Sequence, residues 1–282
     1  MGALRDRVAG LAAIDRRVIF VVIIAAVILP FYVPLGLKVT PGPGSRRFFD
    51  EVDRAARSGR PVLVSVDFGP DTEAENGQML KGVLDHVFGR GGKAVVLTFQ
   101  PTGRGVAERY LKEAGRAKIE GRDYVFLGYK PSPANVMLNM GRSFDLDFTT
   151  DAHGTPLGDL PLMREVKSYA DLSLIVAVAN NAIPRFWIQF AVEPFKVPLV
   201  TGLTGTMSPQ FYPYLQAGQT RALLAGMQEA AEYEALLKEA GLASSPGLAL
   251  RGMDSQSLAH AAIVLFIVLG NIGYLASRRR KR

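Results

Sequence analysis

The chain has 282 residues, 48% of them hydrophobic, and a formal net charge of +7. Its mean hydropathy of +0.14 excludes bulk disorder. The charge excludes a basic nucleic-acid-binding surface because it is confined to the ends: residues 1–17 hold four Arg against Asp6 and Asp15, residues 278–282 read Arg-Arg-Arg-Lys-Arg, and the 24 basic and 24 acidic residues from Lys38 to Asp254 cancel.

After the basic segment 1–17, Val18 to Leu37 runs twenty residues without a charge. At about 1.5 Å of helical rise per residue, this run crosses the ~30 Å hydrocarbon core of a bilayer. Pro30 and Pro34 fall in its last third, where they kink or end the helix. A cleaved signal peptide needs a small-x-small site after its apolar core, and Pro30-Phe-Tyr-Val-Pro34 supplies none. Asp6 stands where N-myristoylation needs Ser or Thr. The sequence therefore predicts an uncleaved transmembrane helix over 18–37. Residues 38–44, with two successive Pro-Gly steps, read as a stiff linker.

From 45 to 240 helical and strand-like signals alternate. Phe48, Phe49, Val52, Ala55 and Ala56 recur at helical spacing, and Val62 to Val66 is a run of buried-strand type. Thr72-x-x-Glu75 has capping-box form ahead of an apolar helical face from Met79 to Phe88. The unit repeats as strand Ala94–Phe99 with helix Val106–Ala114, then strand Tyr124–Leu127 with helix Pro133–Met140. It repeats again as strand Leu174–Val178 with helix Ile183–Val192, and strand Val197–Thr201 with helix Gln216–Ala240. Continuous apolar strands between helices predict an α/β domain of three layers, with a doubly wound, mostly parallel five-stranded sheet. Pro198 places its strand at an edge. The stretch Gly141 to Tyr169 lacks a strong period, and loops of that length are often functional.

Residues 241–257 form a second linker, and Leu258 to Ala276 a second apolar run of nineteen residues ending in the basic tail 277–282. Lys and Arg beside membrane segments stay cytoplasmic, so both termini are expected inside and the 45–240 domain outside the cytoplasm. Zero cysteines agree with an unbridged extracytoplasmic domain. Asn271 is costly in an apolar helix without a partner, and Gly270 and Gly273 give it a small-residue face. The expectation is packing on the first span or on another integral membrane protein.

Ligands in such sheets bind beyond the strand carboxyl ends. That rule selects Asp67, Gly69, Asp71 and Thr72 after the first strand, and Gln100 and Thr102 after the second. Tyr129 and Lys130 follow the third, Asn180 and Asn181 the fourth, and Thr204 and Thr206 the fifth. Asp67-x-Gly-x-x-Thr72 fits either a phosphate-handling turn or an N-cap, and the two acids favour the cap unless a metal intervenes. Asp145, Asp147, Asp151 and His153 offer hard-cation ligands. The alternation of Phe144, Leu146 and Phe148 with the acids equally suits a half-buried strand. No G-x-G-x-x-G, Walker loop or G-x-S-x-G is present, and His86 and His153 are the domain's two histidines. His86, among Leu84, Val87 and Phe88, reads as structural, and a Ser-His-Asp triad would have to run through His153.

Over about residues 45–240, the order of units resembles flavodoxin-like domains and one lobe of a periplasmic binding protein, without the second lobe or hinge. The sequence thus points to a non-enzymatic, membrane-anchored binding or scaffold component. Its expected partners are the bilayer, other integral membrane proteins and a small ligand, with no nucleic acid and no cofactor. The alternatives are an anchored hydrolase or metal-dependent enzyme, with Asp67 central and a divalent metal at the rim, and a sensory or transporter-associated small-ligand lobe.

Overall fold

The computed structural model describes residues 15–33, 35–37, 39–243 and 247–278; the N-terminal segment to residue 14 and the tail 279–282 lie outside them. The chain divides into two units, one of residues 1–38 with 250–282 and the other Val39–Ala249.

The larger unit holds a six-stranded, all-parallel sheet in the order β3-β2-β1-β4-β5-β6. Its strands are β1 (Val62–Asp67), β2 (Ala94–Thr98), β3 (Tyr124–Tyr129), β4 (Leu174–Ala179), β5 (Leu199–Leu203) and β6 (Leu223–Ala225). This is the Rossmann-like doubly wound order, in which the direction of winding reverses between β1 and β4. All six residues of β1 and of β4 are buried. Apolar runs without alternation require cover on both faces, and helices supply it.

One layer holds helices Pro43–Ala56, Gln78–Gly89, Gly103–Ala114 and Gly226–Glu239, which contact one another in series. The opposite face of the sheet presents Leu63, Val95, Leu97, Val125, Ile175, Ala177 and Leu199, packed with Met137, Phe144, Phe148, Tyr169 and Trp187. Helices Pro133–Met140, Pro161–Glu165 and Ile183–Trp187 contribute to that side. Phe99, Tyr169 and Trp187 meet edge-on at ring separations of 5.8 and 6.3 Å, a favoured aromatic geometry.

The sheet departs from the five strands expected. Leu223-Leu224-Ala225 forms β6, inside the segment read as one helix from Gln216 to Ala240. Its apolar spacing continues into Met227 and Ala230, so periodicity alone extends the helix backward. The break comes at Gly226, whose φ of +67° suits glycine and whose Cα approaches Gly205 closely. Glu229 then accepts from Ala225 N at 2.8 Å and fixes the helix start. Nor is Pro198 in an edge strand: β5 begins one residue later and lies between β4 and β6. Pro198 only has to accept, from Ile175 N at 2.8 Å.

The irregular stretch is a packed lobe. Phe144–Leu146 and Leu157–Asp159 are 3₁₀ turns, and Phe144, Phe148, Leu157, Leu160 and Leu162 are buried. The strand-like alternation of Asp145 and Asp147 is not realised. Ser143 caps the turn instead, and Phe144 and Phe148 reach the core four residues apart.

Helix Pro43–Ala56 begins with no side-chain cap of its own. Glu232, from helix Gly226–Glu239, accepts from Gly42 N at 2.8 Å and from Ser45 Oγ at 2.7 Å. Negative charge suits a helix start.

The smaller unit contains helices Arg16–Tyr32 and Leu248–Arg278, the latter entering at residue 250. Among the described residues, Leu248–Leu275 is the one helix long and apolar enough to cross a membrane by length and composition. The N-terminal span expected over 18–37 is not shown. The first helix carries Pro30 inside it and stops at Tyr32 after 17 residues, where the chain leaves helical geometry at Val33.

Replacing Glu232 with Ala leaves a helix N-terminus and a buried hydroxyl without their acceptor. The cost expected is about 1–3 kcal/mol, read as a lower urea midpoint of the detergent-solubilised chain with an unchanged denaturant slope.

Candidate functional site

The winding reversal sets the carboxyl ends of β1 and β4 side by side, with Asp67 opposite Ala179. Ligand crevices of doubly wound sheets form at this position. Asp67 ends β1 and is fully buried. Its Oδ1 accepts from Phe99 N at 2.7 Å and its Oδ2 from Ser65 Oγ. Burial pushes the Asp67 carboxyl up to about 7, against those two hydrogen bonds, which favour the charged form. The group is a buried acid below the rim, with both oxygens engaged inside the protein.

Above it lies a chain of amides and hydroxyls that includes the Asp71 carboxylate. Asn181 Nδ2 donates to Asp67 O at 2.8 Å and to Gln100 Oε1 at 2.6 Å. Gln100 Nε2 donates to Thr102 Oγ1 at 2.9 Å. Asn180 Nδ2 donates to Asp71 Oδ2 at 3.1 Å. Gly69 lets them approach: a Cβ there would come within 2.7 Å of Asp71 Oδ1 and 2.9 Å of Thr102 Oγ1, and both side chains would have to shift. The Thr72 hydroxyl is buried without a partner. Asp67, Asp71, Gln100, Thr102, Asn180 and Asn181 are therefore linked across the ends of β1, β2 and β4.

The remaining rim candidates sit elsewhere. Thr204 and Thr206 share a hydrogen bond of 3.1 Å after β5, beside Gly205 N, which donates to Glu75 Oε2 at 2.8 Å. Tyr129 ends β3, the outermost strand on the other side, and Lys130 Nζ lies 5.0 Å from the centre of the Phe148 ring.

Among the described residues no group of three or more His, Asp or Glu is placed to hold a metal ion. Asp151 instead accepts from His153 N and Thr155 N at 2.9 and 2.8 Å, closing a turn. His153 Nε2 faces Glu120 at 3.1 Å. Asp145 is exposed at the capped turn, and Asp147 Oδ2 is buried without a partner.

Two polar arrangements escaped the sequence reading. Asn76 is fully buried in a π-helical turn, Glu73–Gly77, and reaches Ala179 O at 3.3 Å and Gly202 O at 3.5 Å between β4 and β5. Its signal was Asn-Gly inside a helical run, a pair that helix interiors disfavour. The second joins three helices: His86 Nδ1 meets Tyr233 OH at 2.9 Å, and its Nε2 meets Asp53 Oδ1 at 3.0 Å. Asp53 also accepts from Arg90 Nε at 2.6 Å and Arg57 Nε at 2.7 Å. Burial lowers the His86 pKa, with Asp53 opposing. The partners imply Nε2–H donating to Asp53 and Nδ1 accepting from Tyr233. An Asp-His-Tyr series suggests proton transfer, yet both His86 and Tyr233 are sealed from solvent, so no substrate reaches the imidazole.

Compared with protein-family models, with curated proteins and with solved structures, the chain matches none of them.

Because the folded Asp67 pKa lies above the unfolded value of about 3.9, its contribution to stability is complete below that value. It is lost as pH rises through about 7. Asp67→Asn keeps an acceptor for Phe99 N and a donor for Ser65. The variant should gain in thermal midpoint over the wild type as pH rises from 4.5 to 8.5. A difference that stays constant with pH contradicts the buried-acid assignment.

Proposed function

We propose that the protein is a membrane-anchored binding or scaffold component. Its α/β domain lies outside the cytoplasm, and its apolar helices sit among other integral membrane proteins. The observation that carries this reading is helix Leu248–Leu275, of whose apolar window only 6% is buried. A surface so apolar and so open needs lipid or other membrane helices to cover it. Five basic residues follow it, and four arginines precede the first apolar run at Val18, two of them opening the helix. Under the positive-inside rule both ends are cytoplasmic, which makes the first helix the second span and leaves the neutral domain on the far side. The first helix then makes the other crossing.

A binding role is favoured over catalysis by the state of the polar groups. The carboxylate of Asp67 has both oxygens occupied and no solvent access. Of the rim amides, Asn181 pairs with Gln100 and Asn180 with Asp71, and in the Asp53–His86 pair the imidazole is sealed. A small-ligand role has one specific support: the six rim residues linked at the β1/β4 reversal, where a ligand's polar groups would replace hydrogen bonds that the amides make to a carboxylate, an amide and a hydroxyl.

Purification of the tagged full chain from native membranes in mild detergent tests the assignment. The expected result is a stoichiometric complex with at least one other integral membrane protein. A clean monomer at every detergent concentration contradicts the scaffold role. A thermal shift with small metabolites that Asn181→Leu abolishes would then favour the ligand-binding role.

A further inference from the structure

We infer that the two apolar helices form one intramolecular hairpin, clamped where the first helix ends by Arg251, Asp254 and Ser255 of the second; this rests on the membrane reading above. The first helix, Arg16–Tyr32, ends badly for a segment in lipid. Pro30 offers no N–H, and the last carbonyls have no helical donors of their own. Unpaired backbone groups are expensive in hydrocarbon. The second helix supplies one missing partner, for Phe31 O in the last turn, and adds a bond to Val27 O one turn further back. Arg251 Nη1 donates to Phe31 O at 3.2 Å, and Ser255 Oγ donates to Val27 O at 2.8 Å. The Asp254 carboxylate accepts from Gly36 N at 3.1 Å and Leu37 N at 3.3 Å. Gly36, at a φ of +65°, turns the chain so that both N–H groups face that carboxylate.

The three clamp residues stand at i, i+3 and i+4, so one helix face carries them all. Asp254 and Ser255 are 4% and 6% exposed, burial that acidic and hydroxyl side chains accept when paired. Below the clamp, the more enclosed positions of the first helix are Ile19, Ile23, Ala26 and Pro30, and those of the second include Ser255, Ala259, Ala262 and Phe266. Both sets are spaced four, three, four, the seam pattern of helices crossing at a shallow angle. The Ser255–Val27 contact, with Arg251 at Phe31, makes the pairing antiparallel. Antiparallel pairing continued one turn along each helix places Ile23 opposite Ala259.

Apolar contact alone does not choose this pairing, because lipid tails compete equally for the same surfaces. The polar clamp does, since its groups have no equivalent partners in lipid. Asp254 is thus a positioning residue: it fixes where the chain leaves the first helix on its way to the larger unit.

The absence of cysteine allows a direct test. The full chain carrying Ile23→Cys and Ala259→Cys is treated in native membranes with a short thiol-specific bifunctional crosslinker, and linked peptides from the monomer band are identified by mass spectrometry. The expected result is an intramolecular link whose rate falls about fivefold or more with Asp254→Ala added. Asp254→Asn, which keeps one acceptor, should give an intermediate rate, and Gln256→Ala, at an exposed neighbour, no change. A link absent, formed only between chains, or insensitive to Asp254→Ala in a chain that resists alkaline extraction overturns the clamp and leaves the membrane reading standing. Release of the chain by alkali overturns both.

Discussion

Helix Leu248–Leu275 is long and apolar enough to cross a membrane, and only 6% of its most apolar eighteen residues is buried, so exposure to water is its main cost. Lipid would cover that surface, and lipid forbids unpaired backbone groups. The clamp at Arg251, Asp254 and Ser255 answers the second demand for the helix beside it. The charge distribution follows the same logic. The excess lies at the two ends of the sequence, and the residues between carry none, so the larger unit has no electrostatic reason to gather on an anionic surface.

The larger unit turns its polar chemistry inward. Its buried carboxylates serve as acceptors for backbone and hydroxyl donors: Asp67 for Phe99 N, Asp151 for His153 N and Thr155 N, Glu232 for Gly42 N. Each fixes a strand end, a turn or a helix start. Asp53, His86 and Tyr233 do the same among three helices. What meets solvent at the winding reversal is a set of amides and hydroxyls together with the Asp71 carboxylate.

The fold class and five of the six strands were legible in the sequence, because parallel strands covered on both faces leave uninterrupted β-branched runs such as Val62–Val66 and Leu174–Val178. β6 was hidden because Leu223, Leu224 and Ala225 share their spacing with the helix that follows, and the break depends on the positive φ of Gly226, which only the approach of Gly205 explains. The rim was half legible. Reading off strand ends yields a line of residues about 4.8 Å apart per strand, and only neighbours on that line touch. Asp67, Gln100 and Asn181 do so, whereas Tyr129 and Lys130 lie two strands away on β3. Asn76, and the contacts of His86 with Asp53 and Tyr233, join residues far apart in the chain, and no local pattern encodes them.

A two-span anchor places the larger unit outside the cytoplasm, and the cysteine-free chain makes this measurable with one added thiol at a time. Gly158 is exposed with open space around it, and Arg282 ends the basic tail. In intact cells, a membrane-impermeant maleimide should label Gly158→Cys fully and Arg282→Cys only after permeabilisation. Labelling of Arg282→Cys from outside, or of Gly158→Cys only after lysis, would contradict a domain held outside the cytoplasm by two spans.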